Sequence, residues 1–308
     1  MGSGNASVLA GYEMSLYSRI SHHNAFLYLS IFLILLIGYL SSREQSLPVT
    51  VGFQLNTPDE PLDAQLSNQN SFRIGTYNIH GGKDVDGNDN FVQIIDTLLE
   101  SQLDVIALNE VRDGIFPGSN VSYEIANHLN MDWLFAPTRE KDFQSNYGNA
   151  FLSKLPVIDY KIQPLIYRMA NESSVVENDT HRNMIISTLL VNNIEITIIV
   201  THLDRGPLKE RQLEEVLEIF RMHSPAILIG DLNVTPSNSV LRSGMLANEY
   251  DNALSDITTQ AQNTIDWILV RGLTVLDCGT TPAGPSDHPH YWAELSLTNQ
   301  LSLQNNSD

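Results

Sequence analysis

Residues 184–202 read MIISTLLVNNIEITIIVTH. Two apolar, β-branched runs, 184–191 and 194–201, flank Asn192-Asn193. That is the pattern of two strands joined by a tight turn, and it predicts an antiparallel hairpin. On either side of it, further short apolar runs read as strands at Phe72–Ile79, Val105–Leu108, Trp133–Phe135, Ala150–Leu152, Ala226–Ile229, Trp267–Val270 and Trp292–Leu295. Between them, Phe91–Gln102, Tyr123–Met131 and Leu208–Met222 carry helical periodicity. Strands and helices thus mix without strict βαβ alternation. This favours two sheets packed face to face with helices outside over a doubly wound parallel sheet. No internal repeat interrupts one domain over residues 72–297.

The chain has 17 Lys+Arg against 36 Asp+Glu, a formal charge of −19. Apolar residues make up 42%, enough to build a sizeable core and to exclude disorder for most of the chain. Cys278 is the single cysteine, which excludes an internal disulfide and a zinc cluster. So negative a chain is poorly suited to salt-driven wrapping of nucleic acid or of anionic lipid. A dense metal site that accepts one phosphate remains compatible with it.

Ahead of the domain lies Ala25–Leu40, AFLYLSIFLILLIGYL, without a charge. As a helix this run spans about 24 Å, a little short of a ~30 Å hydrocarbon core, and flanking polar residues extend it over 25–42. A buried core helix and a cleaved signal peptide are the rival readings. The long segment 1–24 before the run and the lack of a clear small-x-small cleavage site favour an uncleaved transmembrane signal anchor. Arg19 before it and Arg43 after it leave little positive-inside bias. Sequons at Asn5, Asn120, Asn171, Asn178 and Asn305 suit a single-pass protein whose domain is extracytoplasmic (luminal, periplasmic or extracellular), if the source is eukaryotic. Residues 43–71, polar and proline-bearing, read as a tether, and 298–308 as a disordered tail.

Polar residues recur where the apolar strands stop. Asn78 ends RIGTYN, Glu110 ends DVIALNE and His202 ends ITIIVTH; Asp231 and Asn233 follow ILIG; Asp266 begins DWILV, and Asp287-His288 precedes YWAEL. One carboxylate at a strand end is usually a cap or a solvated tip. A whole series of them, with amides and histidines but no thiols, suits a hard ion such as Mg²⁺, with Mn²⁺ as the alternative, rather than zinc. Other features take plainer readings. DVDGND at 84–89 has its glycine and closing residue in the wrong places for a calcium loop. His80 reads as a turn residue, His290 as a solvated rim residue with substrate contact as the alternative, and Cys278 as a strand-end filler.

The ordered set TYNIHGG, LNEV, YGNAFLS, THLD, GDLNVTP, IDWILV and SDHPHYW resembles the endonuclease/exonuclease/phosphatase superfamily over residues 72–297. The resemblance implies an α+β, four-layer α/β-sandwich of two packed, mostly antiparallel sheets flanked by helices. It implies metal binding by Glu110 with Asn78 and Asp287, and a catalytic group of Asp231, Asn233, His288, Asp266 and His202. Asp231 would orient or deprotonate the attacking water, and Asn233 would hold that water or a phosphate oxygen. His288, paired with Asp266, is read either as an imidazolium that stabilises the transition state or as the general base. His202 would donate to the phosphate or leaving oxygen. Asn149 and Arg182 are expected to line the substrate pocket, although Arg182 also suits a simple ion pair.

Within the superfamily, the pattern is similar to small metal-dependent hydrolases and to the hydrolase-like domain of proteins that remodel the lipid of GPI anchors. No Lys/Arg cluster tracks a duplex backbone, so no extended nucleic-acid surface is expected. The expected activity is hydrolysis of a lipid head group or another membrane-proximal phosphate ester. An anchored or secreted deoxyribonuclease I-like endonuclease is the alternative, and a non-catalytic phosphate-binding module is the contrasting class.

Overall fold

The computed structural model describes residues 27–35, 50–51, 71–113, 121–139, 146–165 and 182–297. The chain divides into two units, residues 1–46 and 47–308. In the first, residues 27–35 form helix α1, with Leu27, Phe32 and Ile34 among its exposed side chains. Nine residues make roughly 13 Å of helix, and no helix among the described residues is long and apolar enough to cross a membrane. The rest of the expected 25–42 span, the segment 1–24, the tail 298–308 and all five sequons lie outside the described residues.

The described residues of the second unit form thirteen strands in two sheets. The first sheet has seven: β1 (Thr50–Val51), β2 (Ser71–Asn78), β3 (Val105–Asp113), β4 (Asp132–Arg139), β5 (Asn146–Ser153), β12 (Leu273–Thr281) and β13 (His290–Leu297), in the order β1-β4-β5-β3-β2-β13-β12. The second has six: β6 (Val157–Pro164), β7 (Asn183–Val191), β8 (Ile194–His202), β9 (Ala226–Asp231), β10 (Asp251–Asn252) and β11 (Asp266–Arg271), in the order β10-β11-β9-β8-β7-β6. The expected hairpin is β7–β8, with Val191 opposite Ile194 and both turn asparagines at positive φ.

Three apolar clusters account for the layering. Phe72, Ile74, Val105, Ala107, Ile185, Ile198, Ile227 and Ile229 meet between the sheets. On the outer face of the first sheet, Tyr77, Ile106 and Leu108 pack against Ile94 and Leu98 of α2 (Phe91–Glu100) and Ile125 of α3 (Val121–Leu129). On the outer face of the second, Ala226, Leu228 and Trp267 pack against α4 (Lys209–Arg221) and α5 (Ser239–Leu246). Alternate residues of β9 thus serve opposite clusters, which is why AILIGD is buried throughout. Leu213, Val216, Leu217 and Phe220 of α4 are fully buried. At roughly 1.5–3 kcal/mol per such side chain, this stripe is what holds the helix to the sheet.

The four layers match the expected architecture, with two refinements. The sheets are mixed: β2–β3 and β8–β9 are parallel, and α2 and α4 lie in the two crossovers. The tether contributes a strand, since Thr50 and Val51 pair with Phe135 and Leu134. Strands β6 and β12 and helix α5 carry no strong sequence signal. Both strands lie at sheet edges, where a half-exposed, polar-interrupted pattern suffices, and a bulge between Val275 and Asp277 breaks β12.

Candidate active site

In a parallel pair both strands finish at the same end. Strands β2 and β3 therefore bring Asn78 level with Asn109, and β8 and β9 bring His202 level with Asp231. Strand β11 runs back along β9 and starts with Asp266 opposite Asp231. The loop before β13 supplies Ser286, Asp287 and His288, and the Ser286 hydroxyl donates to the Asn78 carbonyl at 2.7 Å. Glu110 reaches the same place through a bulge, where the β3 register shifts between Leu108 and Val111. Leu108 and Val111 both pack on the outer face, so two residues, Asn109 and Glu110, occupy the turn between them. Glu110 takes φ +54°, a left-handed conformation that a non-glycine residue holds only when its surroundings demand it.

Asn78 Nδ2 donates to Glu110 Oε1 and to Asp231 Oδ2, both at 3.2 Å, and bridges the two sheets at this point. The other Asp231 oxygen accepts the Asn233 backbone N–H at 2.9 Å, and Asn233 Nδ2 donates to the Leu203 carbonyl. His288 Nδ1 lies 2.8 Å from Asp266 Oδ2, and its Nε2 lies 3.8 Å from Asp231 Oδ2. His202 Nε2 approaches the same oxygen at 3.4 Å and Glu110 Oε1 at 4.0 Å, yet it has no hydrogen-bond partner.

These contacts divide the proton affinities. Burial and the nearby Asp266 charge raise the Asp231 carboxyl to about 7. Burial by itself would lower His288, but the Asp266 hydrogen bond and the charges of Asp266, Asp231 and Asp287 outweigh it and hold the imidazolium up to about 9. Burial also pushes Asp266 up; the imidazolium 2.8 Å away opposes this, and so short a contact is that of an ion pair. Burial, with Arg182, Arg205 and His288 as positive neighbours, keeps His202 well below its usual range and therefore neutral. Burial lowers Arg182, against the pull of Asp204, Glu110 and Asp231.

The donor chemistry fits a hard divalent cation. Glu110, Asp231, Asp266 and Asp287 all act electrostatically on this cluster, and Asp266 Oδ1 is buried without a hydrogen-bond partner. Asp231, Asp266 and His288 also offer ligand atoms within 4.8 Å of one another, a set that the sequence reading assigned to catalysis instead. Asn78 presents its amide nitrogen to the carboxylates, because its oxygen accepts the His80 backbone N–H at 3.1 Å. Metal ligation by Asn78 requires that amide to turn over.

The remaining expected residues separate. Asn149 is 1% exposed, and both ends of its amide are taken, Oδ1 by Asn109 and Nδ2 by Asn183. It meets the site through Asn109. Arg182 is largely buried with its Nε unpartnered, and its charge is felt at His202. Asp287 is exposed at the mouth, 3.9 Å from His80 Nδ1. His290 is not a rim residue: it is 1% exposed, edge-on to Tyr77 and 3.4 Å from the Ser101 hydroxyl. The Asp84 carboxylate accepts its own loop's Asp86 and Asn88 N–H groups. Sequence reading missed Asn109, Ser286 and Arg205, whose guanidinium lies 3.7 Å from Glu110. Asn109 stands beside Glu110 in LNE, and that adjacency was the only local sign of it.

Residues 75–288 match the sequence profile of the Endonuclease/Exonuclease/phosphatase family. No curated protein sequence matches the chain. Among solved structures, the fold is similar to an endonuclease/exonuclease/phosphatase from Beutenbergia cavernae, at 19% identity and TM-score 0.61, over 74% of this chain and 72% of that one. The human Nocturnin catalytic domain with bound sulfate is similar at 19% identity and TM-score 0.57, over 75% and 96%. A Bacteroides thetaiotaomicron mannosyl-6-phosphatase is similar at 15% identity and TM-score 0.54, over 73% and 100%.

Proposed function

The chain belongs to the endonuclease/exonuclease/phosphatase family of metal-dependent phosphoester hydrolases, and from that premise we propose that it hydrolyses a membrane-proximal phosphate ester, with a lipid head group as the leading substrate class. The observation that carries the chemistry is Asp231. It is a buried carboxylate with a proton affinity near neutrality, aimed by the Asn233 N–H and the Asn78 amide. Such a group can take a proton from water and release it again at physiological pH.

Asp231 accepts the proton of the attacking water, whose oxygen forms the new bond to phosphorus as the ester P–O bond opposite it breaks. The His288 imidazolium, fixed in orientation by Asp266, faces the charge that grows on the phosphoryl oxygens. Held up to about 9, His288 is already protonated near neutrality, which favours this role over that of general base. Neutral His202 has an unpartnered Nε2 suited to hydrogen-bonding the phosphate or leaving oxygen. Arg182 supplies a cation on the same side. When bound, a divalent cation, Mg²⁺ or Mn²⁺, polarises a phosphoryl oxygen and neutralises developing charge. Glu110 and Asp287 are the residues to hold it, with the Asp231, Asp266 and His288 set as the alternative.

The lipid reading is supported by the apolar run 25–42, which as an anchor would raise the local concentration of head groups, and by the lack of a basic cluster in the sequence. We assign the domain to the extracytoplasmic side of that membrane. An anchored endonuclease is the second reading, because one metal-neutralised pocket in an acidic protein also accepts a DNA phosphate.

The test is to incubate the chain with Mg²⁺ and, separately, sphingomyelin, phosphatidylinositol, plasmid DNA and a bis-aryl phosphodiester. Lipid turnover abolished by Asp231→Ala is the expected result. Plasmid cleavage with no lipid turnover would sink the lipid reading. Equal inertness of wild type and His288→Ala on all four would favour a non-catalytic module.

A further inference from the structure

At the site end, the apolar core between the sheets gives way to a row of buried amides that the reaction scheme above does not use. Asn109, on the first sheet, accepts the Asp231 backbone N–H at 2.9 Å and donates to the Thr201 carbonyl at 3.1 Å, both on the second sheet. Its Nδ2 also donates to Asn149 Oδ1 at 2.9 Å, and Asn149 Nδ2 donates across the gap to Asn183 Oδ1 at 3.0 Å. Asn183 returns to the first sheet, donating to the Pro137 carbonyl at 2.9 Å. None of the three exceeds 6% exposure. We infer that Asn109, Asn149 and Asn183 form a positioning relay that sets the reach between Glu110 on one sheet and Asp231 on the other.

The physical case is one of directionality. Apolar side chains hold two sheets together without fixing how far one slides over the other, because the hydrophobic effect has no preferred angle. Hydrogen bonds do have one. Glu110 and Asp231 repel each other, yet both must lie within 3.2 Å of the Asn78 amide. The relay's first member is the residue next to Glu110, and it grips the backbone of Asp231 itself. Close approach is built in at the same point: Gly230 has φ +136°, and a Cβ there would run into the Thr201 carbonyl. Each amide also fixes the next. Asn149 has its oxygen committed to Asn109 and its nitrogen to Asn183, so loss of the middle amide leaves Asn109 held only by Thr201 and Asp231 and loosens its grip on the latter.

The experiment uses full-length chain in detergent and two readouts. The first is hydrogen–deuterium exchange at the Asp231 amide, which does not depend on the proposed reaction. The second is the separation of kcat from KM, which rests on the hydrolase reading. Asn149→Leu is expected to speed Asp231 exchange about tenfold or more while Ile229 exchange is unchanged, and to lower kcat about 10- to 100-fold with KM within about threefold. Asn149→Asp keeps the oxygen that faces Asn109, and its protonated form also donates towards Asn183. It is expected to retain Asp231 protection and most of kcat. If Asn149→Leu does not fold, Asn183→Ala removes only the last amide, and the same pattern is expected in weaker form. Unchanged Asp231 exchange in the variants that fold, or equal kcat losses for Leu and Asp, would overturn the relay. If the wild type hydrolyses no ester, selective loss of Asp231 protection still supports the relay while the hydrolase reading fails.

Discussion

At Asp231, burial does two things at once: it raises the carboxyl towards neutrality and makes its two hydrogen-bond donors, Asn233 N–H and Asn78 Nδ2, stronger orienting contacts. Asp231→Asn keeps the shape and removes the proton acceptor, so kcat is expected to fall about 10³-fold with the thermal midpoint little changed; steady-state kinetics beside a melting curve checks this. A second prediction concerns stability. His290 lies beside Ser101, just past the end of α2, and burial lowers it to about 4 in the folded chain, against its ordinary 6.5. Between those values the unfolded chain binds a proton that the folded chain refuses, so stability rises with pH and is lost as pH falls from about 6.5 to 4. The full difference is about 3 kcal/mol. Urea midpoints across that window should fall more steeply in the wild type than in His290→Phe, which keeps the ring beside Tyr77 and cannot charge.

Among the elements, the bulge in β3 and the tight end of β9 at Gly230 carry the site. Gly230 and Gly82 both have positive φ, but only at Gly230 would a side chain strike neighbouring backbone. Gly230→Ala should therefore cost about 3 kcal/mol and Gly82→Ala about 1 kcal/mol, measured by denaturant unfolding. Glu110, held in the bulge at φ +54°, is expected to affect the metal more than the fold. Glu110→Gln should raise the Mg²⁺ concentration for half-maximal activity roughly tenfold without an equal loss of stability. The strand ends carrying Glu110, Asp231 and Asp266 were legible because an apolar run stopping at a carboxylate is a local event. Edge strands β6 and β12 were not, since a strand covered on one face alternates weakly and a bulge breaks even that pattern.

For the molecule as a whole, residues 47–308 form one compact unit, and the apolar run belongs to the other, residues 1–46. Removal of 1–46 is therefore expected to leave turnover of a soluble diester within about twofold while abolishing co-sedimentation with phosphatidylcholine vesicles. Retained vesicle binding would show that the run is not the membrane contact. The −19 charge lies in a chain whose site gathers acids around one imidazolium, so the acidity that argues against wrapping nucleic acid is also what suits a cation. The two-sheet sandwich, the family and the acids and histidines at the strand ends were readable along the chain, because periodicity and motif order are written in neighbouring residues. Tertiary structure alone decided that Asn149 is bound up between amides, that His290 is buried, and that Asn109 grips Asp231 across 122 positions of chain. A hydrogen bond between strands of different sheets depends on how those sheets stack, and no stretch of local sequence contains both of its ends.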